Sequence, residues 1–321
     1  MGKENQNRYD DEISLLTFET IEGRKISYAT TGDCVKGKRI AFFYPMGANR
    51  RFLIHLHTLA QECSLYLICV NRPGCGQTDD PEDSEGPKSK QIVESVCNDL
   101  IHTMKFLDID KLDGILSMCA GNPFSLSFVS QYPNKFRDNR GKILSIASYV
   151  LPADCPESKS LHRFGAQHIP VWISSAFAGS SMTCMQWSLR NCPSSNMLIK
   201  SLRNQFVGEE REYFDTKITE KEKLVKHLQW MTDEKPTNFS GDLSVLLSPS
   251  NEMDIDYSQI QSKILLLHGE EDKLAPMRSI DWLAEKLPNA TVISIPNATH
   301  DGTLFMLHSQ IEDNLKTFFD N

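Results

Sequence analysis

The chain has 321 residues, with 34 basic and 42 acidic side chains, a formal net charge of −8, and 40% hydrophobic against 24% charged residues. That length holds one large domain or two ordinary ones with a sizeable core, and the apolar share excludes disorder over the bulk of the chain. The acidic balance argues against a nucleic-acid partner, whose footprint would be a basic surface.

The segment Met1–Glu12 reads as a polar tail with no apolar stretch, so no signal peptide is expected. Met1-Gly2 opens like a myristoylation site, but Gln6 stands where that motif needs Ser or Thr. No apolar run is long enough to span a bilayer. The nine cysteines are odd in number and form no CxxC pair. In a chain of this size they read as reduced thiols, which places the protein in the cytoplasm.

Alternating segments around Ser14–Glu19 and Lys25–Thr30, with Glu22-Gly23 between them, predict a hairpin. Arg39–Tyr44 and Leu65–Val70 are short apolar runs of the kind that form buried strands, and Phe52–Gln61 between them has helical spacing. The charged stretch Asp79–Lys90 reads as a solvated loop. In Ile92–Leu107 the residues Ile92, Val96, Leu100 and Met104 are spaced by four, as on one helix face. Strand Gly114–Met118, helix Ala120–Tyr132 and strand Lys142–Tyr149 follow. Strands Lys263–His268 and Thr291–Ile295 come near the far end, each with a helix after it, Arg278–Leu287 and Thr303–Phe318. Buried strands alternating with amphipathic helices predict an α/β protein with a mostly parallel sheet. Residues 152–261 break that rhythm: they are helix-patterned, charged and punctuated by proline, like an insertion closing over one end of the sheet. The expected organisation is a tail over 1–12, a core over 13–151 and 262–321, and a helical cap over 152–261.

The stretch Leu116-Ser117-Met118-Cys119-Ala120-Gly121-Asn122-Pro123 falls where strand gives way to helix. A reactive side chain on a tight strand-to-helix turn needs small residues two before and two after it. Cys119 has Ser117 and Gly121 in those places, whereas Ser117 would have the bulky Ile115 before it. Cys119 is therefore the candidate nucleophile. A small buried hydrophobe is the commonest fate of a free cysteine, so further residues must support that reading.

They do so through a resemblance. Ser117–Pro133 resembles the nucleophile elbow and following helix of the α/β-hydrolase superfamily, with Cys in place of the usual Ser. Asn71-Arg72-Pro73-Gly74-Cys75-Gly76-Gln77-Thr78-Asp79 is similar to its D-x-P-G-x-G-x-S-D loop. His268-Gly269-Glu270-Glu271-Asp272-Lys273-Leu274-Ala275-Pro276 is similar to its acid loop, and Asn297-Ala298-Thr299-His300 to its late histidine turn. Pro45–Arg51 is similar to a fungal subgroup of cysteine-type members. The resemblance implies an α/β-hydrolase fold: a mostly parallel twisted sheet, helices on both faces and an inserted helical cap. It also implies a triad of Cys119, His300 and Asp272, in the chain order that family uses.

A thiol at a helix N-terminus sees the positive end of the macrodipole, which favours thiolate. His300 would handle its proton and Asp272 would orient the imidazole. The oxyanion needs two backbone N–H donors, one from the residue after the nucleophile, Ala120, and one from the loop after the third strand. The family usually has His-Gly-x there. Here Tyr44-Pro45-Met46 stands in that place; Pro45 has no N–H, so Met46 is the expected donor. Tyr44 would hydrogen-bond near the pocket or simply pack. Arg50 and Arg51 would hold a substrate carboxylate or phosphate, or lie in solvent as surface charge. Arg72 reads as bracing its own loop. Trp172, Phe177, Met182, Met185 and Trp187 would line an apolar pocket or form the cap's own core. No metal-ligand spacing is present, and neither a metal nor a cofactor is expected.

A thiolate leaves a tetrahedral intermediate more readily than an alkoxide does, so a cysteine enzyme suits thioesters, enol esters or activated lactones. The expected partner is thus a small-molecule acyl substrate, with no membrane span; the oligomeric state is not legible. Three readings stay open: hydrolysis through an acyl-cysteine, acyl transfer from the same intermediate, and ligand binding without catalysis on a hydrolase fold.

Overall fold

The structure is a computed structural model describing residues 12–81, 86–155, 157, 158, 184, 187–191, 195–206, 208–216, 221–234, 239–305 and 309–320. Strands β1 (Ser14–Glu19) and β2 (Lys25–Gly32) form the expected hairpin, with Ser14 opposite Thr30 and the turn at Gly23 in the left-handed region (φ 87). Then come β3 (Lys38–Phe43), β4 (Leu65–Val70), β5 (Gly114–Met118), β6 (Lys142–Ile146), β7 (Lys263–Gly269) and β8 (Ala290–Ile295). They make one eight-stranded sheet in the order β1-β2-β4-β3-β5-β6-β7-β8. β2 meets β4 antiparallel, and every pair from β4 to β8 is parallel. The apolar strands are buried on both faces because helices cover both.

On one face, α2 (Lys88–Phe106), α3 (Gly121–Gln131) and α8 (Met277–Lys286) pack a core through Val93, Leu100, Phe124, Phe128 and Ile280. On the other, α1 (His57–Glu62) and α10 (Ser309–Phe318) contribute Leu59, Ala60, Ile311 and Leu315 to a second core. Between β6 and β7 lie α4 (Ser195–Gln205), α5 (Gly208–Thr216), α6 (Lys221–Met231) and α7 (Phe239–Leu247), and no strand among the described residues. A short helix, α9 (His300–Leu304), follows β8.

Four expectations differ in detail. The helix expected over Phe52–Gln61 begins as a 3-10 helix, Arg50–Leu56, in which Leu53, Ile54 and Leu56 are all buried, a denser pattern than one α-helical face offers. The helix expected over Thr303–Phe318 is α9 and α10, with Phe305 closing α9 and packing against Phe206 (5.8 Å). β6 stops at Ile146 rather than Tyr149, because Ala147 takes a left-handed φ of 49 and turns the chain. Last, the segment read as cap as far as 261 returns to the core sooner: Val245 and Leu246 of α7, with Met253, Ile255 and Ile260, belong to the first core.

Buried ion pairs fasten the inserted helices down. Arg72 pairs with Asp242 of α7 at 2.5 Å, and Arg50 with Glu234 just after α6 at 2.8 Å. The Asn49 amide donates to the Met231 carbonyl (2.9 Å). Among the described residues no helix is long and apolar enough to cross a membrane.

Candidate active site

Strand β5 is buried along its whole length and delivers Cys119 at its carboxyl end, between β3 and β6. Cys119 adopts φ 48, a left-handed conformation that costs a non-glycine residue of order 1–3 kcal/mol. The surroundings hold it there. Its N–H donates to the Ile146 carbonyl (3.0 Å), and its carbonyl accepts from the N–H of Asn122 (3.0 Å) and of Tyr149 (3.2 Å). The small flanking residues have visible reasons. A Cβ on Gly121 would lie 2.2 Å from the Phe43 carbonyl oxygen, so only glycine lets α3 start this close to β3. Ser117 is fully buried and donates to Ser145 (2.9 Å), which also meets Ser148 and Asn122 in a chain of hydroxyls beneath the turn.

Asp272 lies in the turn after β7 and His300 opens α9 after β8. Asp272 Oδ1 accepts the N–H of Leu274 and of Ala275, both at 2.8 Å, leaving Oδ2 to accept from His300 Nδ1 at 2.6 Å. A proton on Nδ1 turns Nε2 outward. Among the described residues Nε2 has no hydrogen-bond partner, yet the Cys119 sulfur is near enough to act on the ring. Burial works to lower the pKa of His300, but the Cys119 charge, and the hydrogen bond and charge of Asp272, outweigh it and hold the value well above 6.5. The arrangement thus favours the imidazolium form of His300 beside Cys119.

Ala120 caps α3, and Met46 packs partly buried against the core that contains Cys119. Among the described residues neither N–H takes part in the turn and cap hydrogen bonds around the elbow, whereas those of Cys119, Asn122 and Tyr149 do.

The residues expected to touch substrate have partners within the protein. Tyr44 is fully buried; its hydroxyl accepts from the Arg72 N–H (2.6 Å), and the Arg72 guanidinium lies 4.3 Å from its ring centroid. Arg50 is no surface charge either: it is buried, paired with Glu234, and donates to the Tyr28 carbonyl (3.0 Å) and to that of Leu16. Arg51 donates to the Trp230 carbonyl (2.6 Å) and stacks on its indole. All three are held by other parts of the chain: Tyr44 by Arg72, and Arg50 and Arg51 by Glu234 and backbone carbonyls. Trp172, Phe177, Met182 and Met185 lie outside the described residues, and Trp187 is 66% exposed.

Three residues that sequence reasoning did not single out join the site. His268, buried at the end of β7, directs Nε2 at the Ala275 carbonyl (2.7 Å) and lies 3.2 Å from Asp272 Oδ2; burial lowers its pKa, so it is a neutral neighbour of that carboxylate. Glu210 of α5 is fully buried and accepts from both the N–H (2.5 Å) and the hydroxyl (2.9 Å) of Thr299, the N-cap of the helix that begins with His300. Tyr149, just after β6, donates its N–H to the Cys119 carbonyl and has its side chain in the same core. An open cleft of about 750 Å³ reaches His300, lined also by Gln205, Glu271, Lys273 and Asp301. Among the described residues no cluster of three or more His, Cys, Asp or Glu could hold a metal ion.

Strand order, the elbow after β5 and the acid and histidine turns after β7 and β8 define an α/β-hydrolase fold. Comparison with solved structures identifies the same fold. An esterase from Exiguobacterium antarcticum superposes with a TM-score of 0.62 at 12% identity, covering 95% of this chain and 99% of that one. A 2-hydroxy-6-oxo-6-phenylhexa-2,4-dienoate hydrolase from Rhodococcus gives 0.57 at 16% identity over 95% and 99%. A hydrolase from Pseudomonas aeruginosa gives 0.58 at 11% identity over 96% and 98%. Among curated sequences, a pimeloyl-[acyl-carrier protein] methyl ester esterase from Nitrosomonas europaea is 18% identical over 109 residues, which is 32% of this chain and 43% of that protein. No family model matches.

Proposed function

We propose that the chain is a hydrolase of small esters, thioesters or activated lactones that works through a covalent acyl-cysteine. Cys119 attacks the acyl carbon as thiolate. The N–H groups of Ala120 and Met46 receive the oxyanion, and His300, held by Asp272, protonates the leaving group and then activates water. The inserted helices serve as the cap over this end of the sheet, and the working compartment is the reducing cytoplasm, which keeps Cys119 as a thiol. The observation that carries the reading is a cysteine held at φ 48 on the strand-to-helix turn, close enough to an Asp272-bound imidazole to raise its pKa. Two kinds of neighbour support it: the esterases and hydrolases that share the fold, and the fungal cysteine-type members that Pro45–Arg51 resembles.

Acyl transfer from the same intermediate is the second reading. Cys119 is only 6% exposed, so an acyl group bound there meets little water until a second substrate enters. The deciding experiment is intact-mass detection of an acyl adduct after incubation with p-nitrophenyl butyrate, with Cys119→Ala as control. The expected result is one butyryl group on the wild-type chain and none on the variant. Equal labelling of the two would refute the nucleophile.

A further inference from the structure

Among the groups around Cys119, Tyr149 has no assigned task and an unusual state. Its hydroxyl is buried and has no hydrogen-bond partner among the described residues, although a buried O–H left unpaired carries a desolvation penalty of about 1–3 kcal/mol. Such orphans call for an explanation, and a ligand that completes the bond is one.

The backbone fixes where Tyr149 stands. Ala147 breaks β6 with its left-handed turn, and Tyr149 then donates its N–H to the Cys119 carbonyl (3.2 Å) while its own carbonyl accepts the Asn122 side-chain amide (3.1 Å). The sheet order sets the side. β5 lies between β3 and β6, so the Tyr44–Met46 loop flanks the elbow on one side and Tyr149 on the other, towards β7 and β8, which carry Asp272 and His300. Burial and the Cys119 charge both raise the pKa of the phenol, so it keeps its proton at any working pH and acts as a donor, not a base. A donor meant for the sulfur would already be paired with it in the resting protein; this one is not.

We propose that Tyr149 is a further catalytic residue, whose buried phenol on the histidine side of Cys119 donates a hydrogen bond to the departing oxygen of the bound ester. The inference rests on the acyl-cysteine reading above. In the step concerned, the Cys119 sulfur has bonded to the acyl carbon and the carbon–oxygen bond to the alcohol breaks. Its electron pair goes to the departing oxygen, which takes the proton of the His300 imidazolium. Tyr149 stabilises the charge on that oxygen and keeps its own proton. This assistance answers the difficulty specific to a cysteine nucleophile, namely that the intermediate otherwise expels sulfur in preference to an alkoxide.

The test compares wild type with Tyr149→Phe on ethyl butyrate and p-nitrophenyl butyrate, alongside the iodoacetamide alkylation rate of Cys119 and thermal unfolding. A nitrophenolate leaves without help and an ethoxide does not. The expected result is a fall in kcat of about 10- to 100-fold on the ethyl ester and less than about threefold on the nitrophenyl ester, with alkylation unchanged. Equal losses on both esters, or no loss on either, would overturn the inference. A slower alkylation would also overturn it, by assigning the phenol to the thiolate instead. If Tyr149→Phe lowers the unfolding temperature, the ratio of the two losses still decides, because instability lowers both rates alike. Failure of wild-type Cys119 to form any acyl adduct would instead sink the underlying reading, and this inference with it.

Discussion

A thiol and an imidazole near each other do not by themselves make an ion pair; the outcome depends on which charge each neighbour favours. For His300, burial opposes protonation, and the balance is tipped chiefly by the Cys119 charge and then by Asp272. Removing the sulfur with Cys119→Ala should therefore lower the pKa of His300, read as an earlier loss of its imidazolium signals in an NMR titration. The linkage has a definite sign. The folded-state pKa lies above the ordinary 6.5, so the stability this group contributes is complete below that value and fades as pH rises through the raised one. Urea unfolding across pH should show that window contract in Cys119→Ala; an unaltered window would mean that the sulfur does not govern the ring. Glu210 acts one step further out. Its carboxylate takes both donors of Thr299 and so sets where the His300 helix begins. It is a positioning residue, and the shape of the loss tests that. Glu210→Ala should reduce kcat by about tenfold with little change in KM, because a misplaced imidazole slows chemistry without weakening binding, and Glu210→Gln, which keeps an acceptor, should recover most of it.

At the level of elements, the site is built from strand ends, and this is the part the sequence displays best. Apolar runs such as Leu65–Val70 and Gly114–Met118 have the bounds expected of them because buried parallel strands admit few polar residues. The Cys119 turn was legible through its small neighbours, and Gly121 shows the reason: Gly121→Ala would press a methyl into the Phe43 carbonyl oxygen. That substitution should cost about 1–3 kcal/mol in urea unfolding and also suppress acylation, since α3 could no longer start beneath the sulfur. What the sequence hides is pairing between distant segments. Arg50 and Arg51, at an expected helix start, look like surface charge, and only the fold reveals Glu234, far along the chain, as the partner that buries Arg50 and partly buries Arg51. Tyr149 was concealed differently: it continues an apolar run that reads as strand, and the left-handed turn at Ala147 leaves no signal that an alanine would be expected to give. The Arg72–Asp242 pair follows the same logic between the loop after β4 and α7. Both side chains are buried, so Asp242→Ala would strand a guanidinium in the interior and lower stability by about 3–5 kcal/mol, measured by urea unfolding.

Across the whole molecule, the eight described cysteines divide into exposed and buried ones, which makes the chain its own control for the reactivity proposed for one of them. Cys34 and Cys184 are exposed, and the other six are buried. Burial pushes the thiols of Cys69, Cys75 and Cys97 up, so each is both shielded and protonated and should resist alkylation until the protein unfolds. Cys119 is buried as well, at 6% exposure, and by access alone would rank with them. The difference is in its surroundings: Cys119 stands before a helix N-terminus and beside the His300 imidazolium, as none of the other buried thiols is proposed to do. Peptide-resolved mass spectrometry after brief iodoacetamide treatment at neutral pH should therefore find Cys119 modified ahead of the exposed Cys34 and Cys184, with the buried remainder untouched. His300→Ala should abolish that lead while leaving the rates at Cys34 and Cys184 as they were. A labelling order that simply followed exposure would make Cys119 an ordinary core thiol and leave the fold without its chemistry.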